Sequence, residues 1–179
     1  MINKFYYKKL VSFGELNKEF NVITEKIRKL KIPDGFLQFI FYTIAELFAN
    51  IKEHSKAKKI SVEIKTEKDI FSTKISDDGI GLRKSYILKG IFPKDDSSAI
   101  EFALSGLSTK SPKERGYGLY TIRQLVEALG GETEIKTGKK IALIGKRKIW
   151  FKENLKKEKG LSILVKTKIR DINIYEIIK

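Results

Sequence analysis

Residues 70–82 read IFSTKISDDGIGL, and this stretch decides how the rest of the chain is read. Residues 70–76 have the character of a strand. They run into a glycine turn, Asp77-Asp78-Gly79-Ile80-Gly81. A carboxylate at a strand end can accept a hydrogen bond from an exocyclic amine such as that of adenine. Gly79 and Gly81 permit positive φ and let backbone come close to a ring. The same five residues also suit a plain turn. Just upstream, residues 59–66 alternate Ile60, Val62 and Ile64 with polar neighbours, as a half-buried strand does. The two segments predict a hairpin.

Before the hairpin, Pro33-Asp34 predicts the start of a helix running to about Glu53. Glu46, Asn50 and His54 stand four apart and so lie along one side of it. They interrupt an apolar segment, where polar groups are costly without partners. The neutral amide oxygen of Asn50 suits Mg²⁺, a hard ion that keeps waters and takes phosphate oxygens. Glu46, one turn earlier, can orient or deprotonate a water or hydroxyl. On spacing alone, a helix with a polar edge is the commoner explanation of the triplet. His54 sits near the helix C-terminus, where the dipole favours it, and reads as structural.

After the hairpin, residues 83–115 form a long polar stretch with one or two short helices, one near 98–104. Residues 118–129 predict a helix with Leu119, Ile122, Leu125, Val126 and Leu129 inward, stopped by Gly130-Gly131. Gly116-Tyr117-Gly118-Leu119 opens it. Glycine amides at a helix start make an anion site, because free N–H groups and the dipole face the ligand. Upstream, Ser108-Thr109-Lys110 offers hydroxyls and an ammonium for phosphate oxygens. No P-loop pattern is present.

At the N-terminus, residues 4–12 read as a strand, and Ser12 with Glu15 has capping-box spacing. Leu16, Phe20, Ile23, Ile27 and Leu30 then recur at helical spacing. Strands follow near 132–137, 140–145, 147–152 and 161–169. Residues 138–159 look like an added Lys-rich hairpin carrying Trp150. This order predicts an α+β two-layer sandwich with a mixed, mostly antiparallel sheet and helices on one face. The expectation is a single domain over residues 1–179.

With 179 residues, 41% hydrophobic and 33% charged, the chain is long enough for a sizeable core. It has no cysteine, which excludes disulfides and thiolate metal sites. No apolar run approaches the ~20 residues of a membrane span, and the N-terminus lacks the core of a signal peptide. A cytoplasmic setting is expected. The net charge is +15, and residues 131–179 hold 14 basic against 6 acidic residues. Most of that excess reads as a solvated lysine-rich surface; the alternative is a surface for nucleic acid or an acidic protein.

In order along the chain, E-x-x-x-N-x-x-x-H, D-x-G-x-G after a hairpin, S-T-K, and G-x-G-L opening a helix resemble the gyrase, chaperone, histidine-kinase and MutL (GHKL, or Bergerat-fold) ATPase family. The resemblance covers about residues 34–137. It implies ATP and Mg²⁺ as cofactors. Asn50 would hold the metal against the phosphates, and Asp77 would bind the adenine amine. Gly79 and Gly81 would line the base. Residues 83–115 would be the ATP lid, with Ser108, Thr109 and Lys110 reaching phosphate. Gly116, Tyr117, Gly118 and Leu119 would cradle the phosphates, and Glu46 matches the general base of members that have one. Ser162, in Gly160-Leu161-Ser162, stands where relatives carry a Thr beside the adenine-binding Asp, so that either Ser162 substitutes for it or the contact is lost. Ile51 stands where many relatives have Ala, and Glu114 or Arg115 replaces the first glycine of the lid-closing motif.

Glu46 and the short segment before the nucleotide-binding helix make the layout most similar to small anti-sigma-factor serine kinases. That likeness implies a protein partner of STAS-like, anti-anti-sigma or sigma-factor type, and it allows a homodimer. Three functions follow as expectations. One is an ATPase or serine/threonine kinase acting on a protein. The second is a nucleotide-gated binding module with negligible catalysis. The third is a basic nucleic-acid-binding domain reusing the fold.

Overall fold

A computed structural model describes residues 4–106 and 118–178 of the chain. The opening strand is β1 (Phe5–Ser12). A short 3-10 turn, Phe13–Glu15, leads into α1 (Leu16–Arg28). Glu15 accepts hydrogen bonds from the Ser12 backbone at 3.3 Å and from its hydroxyl at 2.6 Å, closing the expected cap. Helix α2 (Asp34–Asn50) continues into a π-helical turn, Ile51–Ser55. The hairpin follows as β2 (Lys59–Glu67) and β3 (Ile70–Asp77). Three helices come next: α3 (Gly81–Ile87), α4 (Asp96–Leu104) and α5 (Gly118–Ala128). The chain ends with β4 (Glu132–Gly145), β5 (Lys148–Lys168) and the short α6 (Ile174–Ile177).

The strands form one sheet in the order β1-β2-β3-β5-β4. All four pairings are antiparallel, so the sheet is simpler than the mixed one expected. The alternation of β2 and β3 puts Ile60, Val62, Ile64, Phe71 and Ile75 into the core with the apolar faces of the helices. Phe36 and Phe39 on α2 meet Phe71 with ring centroids 5.8 and 6.4 Å away. Truncating any one of these buried rings would cost about 3–5 kcal/mol. The result is an α+β sandwich.

The terminal segments differ from the four short strands expected. Segments 132–137 and 140–145 are one strand, and 147–152 and 161–169 belong to another, each bent where the register slips around Gly138. The extra residues of β5 there are accommodated as an irregularity rather than a strand end. Among the described residues no helix is long and apolar enough to cross a membrane.

Candidate functional site

The glycine turn is stitched to its neighbours by backbone bonds. Asp78 accepts from the backbone N–H groups of Lys58 and Lys59 at 2.8 and 2.9 Å. The N–H of Ile80 donates to the Ser55 carbonyl at 2.8 Å. These bonds join β3 to the start of β2 and to the end of α2. Asp78 is thus a structural clip, which leaves Asp77 as the chemical group of the pair.

Asp77 is only 7% exposed. Its Oδ1 accepts from the Gly79 N–H at 2.8 Å, and the Leu161 backbone also donates to the carboxylate. Burial dominates over these bonds and pushes its pKa from 3.8 up to about 6, with small further help from Asp78 and Glu158. Gly79 and Gly160 flank this carboxylate, and a Cβ at either would collide with it. The sequence therefore keeps a buried acceptor with bare backbone on both sides.

Around Asp77 opens a pocket of about 830 Å³, counting its open mouth. Its apolar walls include Leu47 and Ile51 of α2, Ile75 of β3 and Leu161 and Ile163 of β5. Such a cleft, apolar with a few convergent polar groups, is the ordinary form of a small-molecule site. Asn50 and His54 also line it, along with Gly81 and Gly118. Gly81 has φ +74°, as the turn requires.

Glu46 and Asn50 converge on the start of α5. A Cβ placed on Gly118 would lie 2.5 Å from Glu46 Oε2 and 3.3 Å from Asn50 Nδ2. The described part of α5 begins at Gly118, and the N–H groups of a helix start have no intrahelical acceptors. A negative group is favoured there by those donors and by the helix dipole. Tyr42, one turn before Glu46, joins this corner. Its phenol is pushed up chiefly by burial, with Thr121 and Glu46 close enough to act on it.

Ser162 is a correction. It faces the other side of the sheet, with its Oγ 2.7 Å from that of Ser76, its cross-strand partner. Strand alternation aims Leu161 and Ile163, not Ser162, into the pocket. The Leu161 backbone N–H contacts Asp77 instead. A hydroxyl that does reach the turn is that of Thr137, which accepts from Leu82 N–H at 3.2 Å and donates to the Gly160 carbonyl at 3.3 Å. Nothing in the spacing of Thr137 marked it, because only the sheet brings it 55 residues back to Leu82.

Ser108, Thr109, Lys110, Gly116 and Tyr117 lie outside the described residues. Of the segment 83–115, the described part forms a wall of the pocket. Leu82, Ser85 and Tyr86 come from α3 and its start, and Ala103 comes from α4. Tyr86 and Phe102 lock the two helices edge to face at 5.9 Å. Arg83 ties down the connection by donating to the carbonyls of Pro93 and Lys94 at 3.3 and 3.0 Å. Tyr86 gave no sequence signal beyond its aromaticity.

The profile of a family described as histidine kinase-, DNA gyrase B-, and HSP90-like ATPase matches residues 37–166. The chain belongs to this GHKL ATPase family. Comparison with the curated proteins returned no match. The match spans α2, the glycine turn, α5 and most of the terminal strands, so it covers the pocket just described. GHKL ATPase domains bind ATP, generally with Mg²⁺, and this chain is an ATP-binding domain of that type. The pocket fits the nucleotide: one buried acceptor among apolar walls suits a purine amine, and Gly118 at the described start of α5 leaves room for phosphates. Among the described residues no cluster of three acids, histidines or cysteines forms a metal cage. A Mg²⁺ ion held by one amide oxygen with phosphate and water oxygens needs none.

Proposed function

We propose that this GHKL domain is a Mg²⁺- and ATP-dependent enzyme of the anti-sigma-factor kinase type, transferring phosphate to a hydroxyl of a protein partner of STAS-like or anti-anti-sigma class. The observation that carries the proposal is the approach of Glu46 Oε2 and Asn50 to Gly118 at the start of α5. A carboxylate beside the phosphate end of the site is superfluous for binding alone, because it repels phosphate. It is useful as a base.

In this reading Asp77, ionised, accepts the adenine amine hydrogen bond, and the walls around Gly79 and Gly81 hold the ring. The N–H groups of Gly118 and Leu119 receive phosphate oxygens. Mg²⁺, when bound, would neutralise phosphate charge, with the Asn50 side-chain oxygen as its protein ligand. Glu46 takes the proton of the attacking hydroxyl, of a partner serine or of water.

The experiment is incubation with γ-labelled ATP, Mg²⁺ and the protein encoded beside this one, for the natural chain and for Glu46→Gln. Transfer or hydrolysis is expected from the natural chain. Glu46→Gln is expected to lose at least roughly a hundredfold in turnover while ATP affinity by calorimetry stays within about threefold. Retained turnover in Glu46→Gln would remove Glu46 as the base. ATP binding with no turnover in the natural chain would replace the enzyme with a nucleotide-gated binding module.

A further inference from the structure

The β4–β5 hairpin beyond Gly138 plays no part in the pocket, yet it is held in a defined place. Gly138 has φ +53°, and a side chain there would run into the Asp96 carboxylate. The same carboxylate accepts from the Lys139 N–H at 2.8 Å. Asp96 opens α4, so the bend is pinned to a helix. Past it, Lys140 pairs with Glu153, and the strands run on to a tip at Lys146 and Arg147.

Alternation gives this hairpin two faces. Ala142 and Ile144 are buried, and Ile149 and Phe151 pack against the core with them. The opposite face carries Ile141, Leu143 and Trp150. Leu143 stands directly across from Trp150, and Ile141 across from Lys152. None of these three joins the core cluster, and Trp150 is 48% exposed. Lys139, Lys148 and Lys152 share their face by the same alternation. Next to it the extra residues of β5 put out Leu155, fully exposed. From 138 to 159 the sequence has nine basic and two acidic residues.

We propose that this face docks an acidic segment of a partner protein that carries one or two apolar anchors. An apolar centre with a charged rim is the anatomy of a protein interface, and Trp is a favoured anchor residue. Lys139, Lys148 and Lys152 on this face, in a segment of nine basic and two acidic residues, select a negative partner. The aliphatic half of the centre decides between protein and nucleic acid. Trp150 can stack on a base, but Ile141 and Leu143 offer neither a ring nor a charge to a nucleic acid. They do accept Leu or Phe. Lys148 and Lys152 lie roughly 7 Å to either side of Trp150, as strand geometry dictates, so an anchor between two acidic residues fits them. The patch is small, which implies weak, reversible binding. The inference does not depend on whether phosphate is transferred.

Trp150 is the only tryptophan of the chain, so its fluorescence reports this face directly. The probe is a synthetic peptide of about sixteen residues with Leu at helical spacing and Glu elsewhere. It is compared with an all-Glu peptide and with an oligothymidylate strand. The Leu–Glu peptide is expected to shift Trp150 emission to the blue with saturation in roughly the micromolar range. The all-Glu peptide and the oligothymidylate should bind at least about tenfold more weakly. Lys148→Glu with Lys152→Glu should cost a further tenfold or so, while Lys148→Arg with Lys152→Arg retains binding. Three results would overturn the proposal: no saturable shift up to about millimolar peptide, oligothymidylate binding as tight as the peptide, or an unchanged affinity in the double charge reversal.

Discussion

Asp77 and Trp150 each sit against the usual partition of side chains. Asp77 is a carboxylate only 7% exposed, and Trp150 is the largest apolar side chain of the protein at 48% exposed. The pocket keeps a buried charge with backbone donors from Gly79 and Leu161. The hairpin keeps Trp150 half in water, beside the partly buried Ile141 and Leu143 and with lysines on the same face. Each arrangement costs free energy in the free protein and regains it only with a ligand of opposite character: an amine donor in one case, an apolar anchor among acids in the other. The pocket turn is held by bonds between distant segments, whereas Ile141, Leu143 and Trp150 on the outer face of the hairpin stand outside the core cluster. The two regions should therefore respond to substitution in opposite ways.

The largest difference is expected from Asp77→Asn. Replacing the charged acceptor should weaken ATP by about 2–3 kcal/mol, roughly thirty- to a hundred-and-fiftyfold by calorimetry. Folding stability at neutral pH should hold or rise, because a buried charge has gone. A large loss of stability with unchanged ATP affinity would turn Asp77 into a structural residue and erase the contrast.

Proton linkage sharpens the same point. The folded protein binds the Asp77 proton more tightly than the unfolded chain does, about 6 against 3.8. Its stabilising contribution is thus full below about pH 4 and is lost as the pH rises through about 6. ATP affinity has the opposite sign, since the ionised form accepts the amine. Lowering the pH from about 7.5 to about 5 should weaken ATP roughly tenfold, as only about a tenth of Asp77 remains ionised. A flat calorimetric profile over that range would deny the acceptor role.

Smaller effects separate the hairpin from the pocket. Asp96→Ala removes the bond to Lys139 and should cost about 1 kcal/mol in urea unfolding, with faster amide exchange at residues 139–145. Lys148→Glu with Lys152→Glu should leave stability within about 0.5 kcal/mol and ATP affinity within about twofold. A coupled fall in ATP affinity would show that the two regions are one device.

Much of the pocket was legible because its chemistry rides on local spacing. Glu46, Asn50 and His54 share a helix side by the 3.6-residue repeat, and Asp77 with Gly79 and Gly81 is a turn written in five residues. The placing of Ser162 on the other face of the sheet has a physical cause. A period-2 strand gives the opposite face for a shift of one residue, and the register of β5 against β3 is set by a pairing 86 residues apart. Tyr42, Tyr86 and Thr137 left no signal because each acts through neighbours distant in sequence. The hairpin was visible as lysines and a Trp, but its two faces were not.

By itself the sequence determined the helices and the β2–β3 hairpin, and it named Asn50, Asp77, Gly81 and Gly118, which line the pocket, since hydrophobic period and glycine turns are local properties of the chain. Only the tertiary structure decided that Gly118 must be bare against Glu46 and Asn50. It alone buried Asp77 enough to move its proton affinity. It alone bent β4 at Gly138 so that Trp150 faces solvent. Close approach, desolvation and facing depend on which distant segments the fold brings together, and no spacing along the chain records that.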